Sequence, residues 1–190
     1  MMEWLLQIDY WVFEKINHAG TFNWGDAFFP WITDLNKSIW FSLPVFALLL
    51  FVFYRKFAKR GLLYFLMLII SIAFNDFVGA QVKHYYTRPR PFENQEIMAI
   101  QRSPAGKNSF YSNHTSNMVT FATFTSHFFP ALTIPLYLTA AFVAYSRIYN
   151  GVHYPSDVAV GALAGLFWGL VFIWLTLKLR QKYFPYKDAL

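Results

Sequence analysis

Lys83, Arg90, His114, Arg147, His153 and Asp157 all stand beside long apolar stretches of a 190-residue chain in which only 14% of residues are charged. Charges near membrane depth are costly, so they need partners and usually a purpose. Three permanent cations converging on one place call for an anion, and two histidines with a carboxylate add a nucleophile, an acid and an orienting group. Phosphate is the ligand this chemistry implies. Asp157 follows His153 by four residues, and Pro155 between them suits a first helical position. The carboxylate can accept the imidazole Nδ1–H, fixing the tautomer that leaves Nε2 free to attack phosphorus. The same pairing is expected to raise the His153 pKa above its reference of about 6.5 and to give a bell-shaped rate profile. Ser112-Asn113-His114 enters a helix whose free N–H groups and positive dipole end favour a phosphoryl group. His114 then sits where a leaving oxygen needs a proton.

Such residues meet only if the chain carries them to one end of a bundle. With 56% hydrophobic and 22% aromatic residues, against about a quarter charged in an ordinary soluble domain, the sequence predicts an all-α, polytopic membrane bundle forming a single domain over residues 1–190. The first expected span runs from about Ile39 to Tyr54, stopped by the basic cluster Arg55 to Arg60. Further spans follow over Gly61 to Val82, His114 to Phe129, Ala131 to Tyr149 and Pro155 to Leu177. A loop of about thirty residues, Lys83 to Asn113, is long enough to be functional. Ahead of these five spans, Trp4, Leu5, Ile8, Trp11, Val12 and Ile16 recur at helical spacing opposite Glu3, Gln7, Glu14 and Lys15. That pattern reads as an interfacial amphipathic helix, or a sixth span if it crosses. A second amphipathic piece is expected around Trp24 to Leu35.

Five spans put the long loop and the N-terminal helix on one side, and Arg55 to Arg60 with the tail Lys178 to Lys187 on the other. The N-terminal forty residues carry only Lys15 and Lys37. By the positive-inside rule the basic cluster and tail are cytoplasmic, so the site faces outward from a bacterial inner membrane. The net charge of +6, clustered beside apolar runs, suits anionic headgroups better than nucleic acid. Cysteine is absent, which removes disulfides and thiolate chemistry. No cleavable signal peptide is expected, and neither a metal site, a cofactor nor an obligatory protein partner is evident.

In their order and spacing these residues resemble the type 2 phosphatidic acid phosphatases. Lys83, six residues and Arg90-Pro91 match a first motif. Tyr111-Ser112-Asn113-His114 stands where the family has Pro-Ser-Gly-His, and Ser146-Arg147, His153 and Asp157 match a third motif in full. The resemblance implies that His153 attacks phosphorus, Asp157 orients it, and His114 protonates the leaving group and later activates water. It also implies that Lys83, Arg90, Arg147, Ser112 and the Asn113 amide hold the phosphoryl oxygens without a metal. Asn113 replaces a glycine whose freedom of φ or small size the family uses; asparagine best tolerates a left-handed backbone, though its bulk crowds the pocket.

Some assignments stay open. Arg88 also precedes a proline and competes with Arg90 for phosphate, the family spacing favouring Arg90. Asp76, two turns before Lys83 on the same helical face, either supports Lys83 or is a hydrogen-bonded core carboxylate. His18, His84 and His127 read as interfacial residues. Candidate substrates are polyprenyl diphosphate, phosphatidylglycerophosphate, phosphatidate and a lipid A type glycolipid, with undecaprenyl diphosphate favoured on chain size and outer-face site. Phosphoryl transfer to a second lipid and non-enzymatic anion binding or transport are the competing functions.

Overall fold

The computed structural model describes residues 2–35 and 38–185; Lys37 and Lys187, counted above, lie outside them. The described residues are all-α, with no strand. In chain order the helices are α1 Met2–Glu14, α2 Gly25–Asp34, α3 Ile39–Phe57, α4 Lys59–Tyr85, α5 Asn113–Phe128, α6 Thr133–Tyr149 and α7 Pro155–Tyr183, with a π-helical turn Lys15–Ala19 continuing α1.

Among the described residues four segments are long and apolar enough to cross a membrane: Ile39–Phe57, Lys59–Tyr85, Pro130–Tyr149 and Pro155–Tyr183. The remaining expected span, α5, differs in kind. Its 16 residues reach about 24 Å at the helical rise, and Thr115, Ser116, Thr120 and Thr123 are buried. They tolerate this depth because α4, α6 and α7 surround the helix, so its hydroxyls meet protein instead of hydrocarbon. The closest approach is to α7, where Gly161, Gly165 and Gly169 present a stripe at four-residue spacing. A Cβ on Gly165 would lie 2.3 Å from the Ser116 carbonyl oxygen, and Thr120 Oγ1 donates to the Gly165 carbonyl at 3.1 Å. This small-residue stripe, unread in the sequence analysis, lets α5 and α7 bring His114 and Asp157 to the same end.

Helix ends run further than hydropathy indicated. α7 continues to Tyr183 instead of stopping near Leu177, because Lys178, Arg180 and Lys182 suit the negative dipole end and their stems can lie along apolar surface. α4 likewise runs through Lys83 to Tyr85, so Lys83 sits in a final helical turn and not in a loop. Only Ala58 separates α3 from α4. Arg55, Lys56, Lys59 and Arg60 therefore gather with Arg180 around a recess at the end of the bundle away from His153.

α1 has 13 residues, about 20 Å, too short for a hydrocarbon core of about 30 Å. Trp4, Leu5 and Trp11 face away from the protein, and the inward stripe is Asp9, Phe13 and Asn17, all buried. Asn17 Nδ2 donates to the carbonyls of Ile100 and Tyr149 at 3.0 and 2.9 Å, and its Oδ1 accepts from the Ile100 amide at 2.8 Å. Arg102 ties the long loop to the same region through Asp26 at 2.7 Å and the Asn150 carbonyl at 2.9 Å. The N-terminal segment and the loop thus pack together over the end of the bundle that carries His153.

Candidate active site

Lys83, Arg90, Asn113, His114, Arg147 and His153 line one cavity of about 600 Å³ at that end. His153 reaches it through a tight turn after α6. Gly151 there has φ +73°, and a Cβ on it would lie 2.3 Å from the Ile100 carbonyl oxygen, so only glycine fits. The amides of Val152 and His153 then both donate to the Arg147 carbonyl, at 3.2 and 3.3 Å. This return couples His153 to the end of α6.

Tyr154 and Pro155 start α7, and Asp157 closes its first turn: Oδ2 accepts from the Tyr154 amide at 3.0 Å. The same Oδ2 is 3.5 Å from His153 Nδ1. On the other side of the ring, Nε2 is 3.3 Å from Arg90 Nη1. With Nδ1 protonated toward Asp157, Nε2 is the lone-pair nitrogen and faces the cations. His153 is 2% exposed. Burial holds its pKa down at about 3, aided by Arg147 and Arg90 and opposed by Asp157. The expectation that the carboxylate would raise this pKa is therefore corrected: losing water disfavours the imidazolium more than one buried carboxylate, itself shared with Arg88, can favour it. The His153 imidazole is neutral at physiological pH.

The three cations are held differently. Arg90 donates from Nε to the Gly106 carbonyl at 2.5 Å and from Nη1 to the Val152 carbonyl at 2.6 Å. Arg147 donates from Nη1 to Thr33 Oγ1 at 2.8 Å, which brings α2 into the site, and its buried Nε has no hydrogen-bond partner among the described residues. A buried donor of this kind is available to an acceptor in the cavity. Lys83 donates to the Tyr111 carbonyl and, at 2.7 Å, to Asn113 Oδ1.

Ser112 is fully buried and serves as the N-cap of α5: its Oγ accepts from the Thr115 amide at 3.4 Å and from Thr115 Oγ1 at 3.0 Å. Its amide donates to the Asp157 carbonyl at 3.0 Å, joining the starts of α5 and α7. It does not line the cavity, whereas Asn113 and His114, the next two residues, do.

Arg88 and Arg90 are separated by what they touch. Arg88 lies behind the His153–Asp157 pair, with Nη1 2.6 Å from Asp157 Oδ1 and Nη2 2.7 Å from Asp9 Oδ2, and its guanidinium stacks 4.0 Å over the Tyr154 ring. Arg90 alone of the two faces the cavity. Asp9 was missed in the sequence, although a carboxylate on the apolar flank of an amphipathic helix was the available signal. It also accepts from the Ser156 amide at 2.8 Å and Ser156 Oγ at 2.5 Å. Among the described residues no group of three or more His, Asp or Glu is arranged to hold a metal ion.

A neutral imidazole backed by a carboxylate, a second histidine and three cations, set in a cavity within an apolar helical bundle, define a membrane-embedded phosphatase that acts on lipids. The chain belongs to the PAP2 superfamily, which its residues 60–181 match. It is 30% identical over 175 residues to a lipid A 4'-phosphatase of Porphyromonas gingivalis, covering 88% of this chain and 72% of that one. It is 31% identical over 143 residues to YbjG of Escherichia coli, named as a candidate undecaprenyl-diphosphatase, covering 72% and 70% of the two chains. The crystal structure of Aquifex aeolicus LpxE superposes with a TM-score of 0.69 at 31% identity, over 88% of this chain and 93% of that one.

Proposed function

We propose that this chain hydrolyses a membrane lipid phosphate or diphosphate through a phosphohistidine on His153, at the extracytoplasmic face of a bacterial inner membrane, without a metal ion. The observation that carries this reading is the placement of His153 between Asp157, 3.5 Å from Nδ1, and Arg90, 3.3 Å from Nε2. Nε2 attacks phosphorus, the bond from phosphorus to the lipid oxygen breaks, and His114 gives that oxygen its proton. Water then gives its proton to His114 and attacks the phosphohistidine, releasing inorganic phosphate and restoring the imidazole. Lys83, Arg90 and Arg147 stabilise the charge on the equatorial oxygens at both steps, and Asp157 stabilises the cationic phosphoimidazole.

The carrier is either a polyprenyl diphosphate, as chain size and site face suggested, or a glycolipid phosphate, as the name of the Porphyromonas gingivalis relative suggests. The test is release of inorganic phosphate from a panel of purified lipids, with and without EDTA, and with His153→Ala as control. The reading expects release by the wild type in EDTA, none by the variant, and phosphate trapped on His153. Near wild-type release by the variant, or a metal requirement restored by adding back the ion, overturns it. Recovery of the phosphoryl group on a second lipid would instead assign a transferase.

A further inference from the structure

The cavity has a second end that the phosphatase chemistry does not use. Asp76 is exposed and lines it, seven residues before Lys83 on α4, about 10 Å toward the bundle interior. Both amides facing it converge on one oxygen: Asn113 Nδ2 and Asn117 Nδ2 each donate to Asp76 Oδ1 at 3.0 Å. Asp76 Oδ2 accepts no hydrogen bond among the described residues. Asn117 is fixed from behind, its Oδ1 accepting from Asn75 Nδ2 at 2.5 Å, while Asn75 Oδ1 accepts from Ser116 Oγ at 2.7 Å. Asn113 is given room by Gly79, where any Cβ would lie 2.4 Å from Asn113 Oδ1. Through that oxygen Asn113 also touches Lys83, so one asparagine joins the phosphate end to the carboxylate end.

A carboxylate oxygen left open in a membrane-embedded cavity is costly unless something donates to it. It repels the second phosphate of a diphosphate, and a hydrocarbon chain offers it no donor. A sugar ring, with hydroxyl and amide N–H groups near its phosphate, offers several. We infer that Asp76, oriented by Asn113 and Asn117, is a carrier-recognition site that accepts hydrogen bonds from the sugar of a phosphorylated glycolipid, and so selects that class over polyprenyl diphosphates. This rests on the phosphatase reading of the same cavity and adds the identity of the group attached to the phosphate.

The test compares kcat and KM of purified wild type and Asp76→Asn on two substrates, a glycolipid monophosphate and a polyprenyl diphosphate. The wild type should prefer the glycolipid. The variant should lose at least about tenfold more kcat/KM on the glycolipid than on the diphosphate, chiefly through KM, since a charged hydrogen bond to a substrate donor is removed. Equal losses on both would show that Asp76 acts through Asn113 on Lys83 and overturn the inference, as would a wild-type preference for the diphosphate. Failure of the wild type to cleave either lipid would defeat the phosphatase reading instead. A measurement free of any folding defect uses wild type alone. The dephosphorylated glycolipid should inhibit competitively at lower concentration than the polyprenyl alcohol, and the reverse order overturns the inference.

Discussion

Asp9 and Arg88 meet at 2.7 Å across most of the length of the chain's first half, and the same guanidinium reaches Asp157 at 2.6 Å. The N-terminal helix therefore props the carboxylate that lies beside His153 Nδ1. Arg88→Ala leaves two buried carboxylates without their shared cation, and the expected cost is about 3–5 kcal/mol of stability. Asp9→Asn keeps the shape and part of the hydrogen bonding, with an expected kcat loss of about 10- to 100-fold from misplacement of Asp157. Thermal unfolding in detergent and steady-state kinetics check both; an Asp9→Asn variant with unchanged kcat would remove α1 from the catalytic support.

The acid side of the pH profile follows from the buried ring. A His153 pKa held down at about 3 keeps the proposed nucleophile neutral through the range where an ordinary histidine gains its proton. Protonation removes the attacking lone pair, so kcat/KM falls only as pH drops toward that low value. The acid limb should lie more than one pH unit below 6.5. An inflection at or above 6.5 that disappears in no other variant would return to the expectation drawn from charge pairing alone.

His114 should matter in proportion to how poorly the lipid leaves. A monoester expels an alkoxide and needs the proton, whereas a diphosphate expels a phosphate and needs it less. His114→Ala is expected to cost about 10²- to 10⁴-fold on a monoester lipid and clearly less on a diphosphate, measured in single turnovers. Equal losses would argue that His114 acts mainly elsewhere than as the acid.

Gly165 is a structural test of how α5 is held. A Cβ there lies 2.3 Å from the Ser116 carbonyl oxygen, which is backbone and cannot swing aside. Gly165→Leu should force α5 and α7 apart, costing about 1–3 kcal/mol or more and lowering kcat with it, because His114 and Asp157 ride on the two helices. A lowered melting temperature with lost activity is the expected pair of results; a fully active, fully stable variant would mean the helices can separate without moving the site.

Sidedness is tested by labelling. The cluster Arg55 to Arg60 and Arg180 lie at one end of the bundle and the long loop at the other. A reporter fused at the C-terminus should therefore report the cytoplasm, and a cysteine placed at Lys107 should react with an impermeant reagent from outside. The inverted pattern would put the chemistry on the inner face.

The gathering of the candidate site residues around one cavity was legible in the sequence because it depends on residue types at fixed spacing. His153 and Asp157, four apart across Pro155, must share a helix start, and Lys83, Arg90 and Arg147 must lie at its end of the bundle once the spans alternate. Hydropathy likewise marked the apolar helices, since a stretch exposed to lipid must be apolar wherever it sits. Tertiary structure decided what depends on facing. α5 could carry threonines and asparagines only because other helices cover it. Arg88 and Arg90, two residues apart with identical side chains, took opposite roles because one meets carboxylates and the other meets the cavity. Asp9, missed in the sequence, lies buried on the inward face of α1, because helix packing and not the apolar pattern decides which face turns to the protein. The His153 pKa moved against the expected direction because pair spacing records a charge partner but not the water that burial takes away.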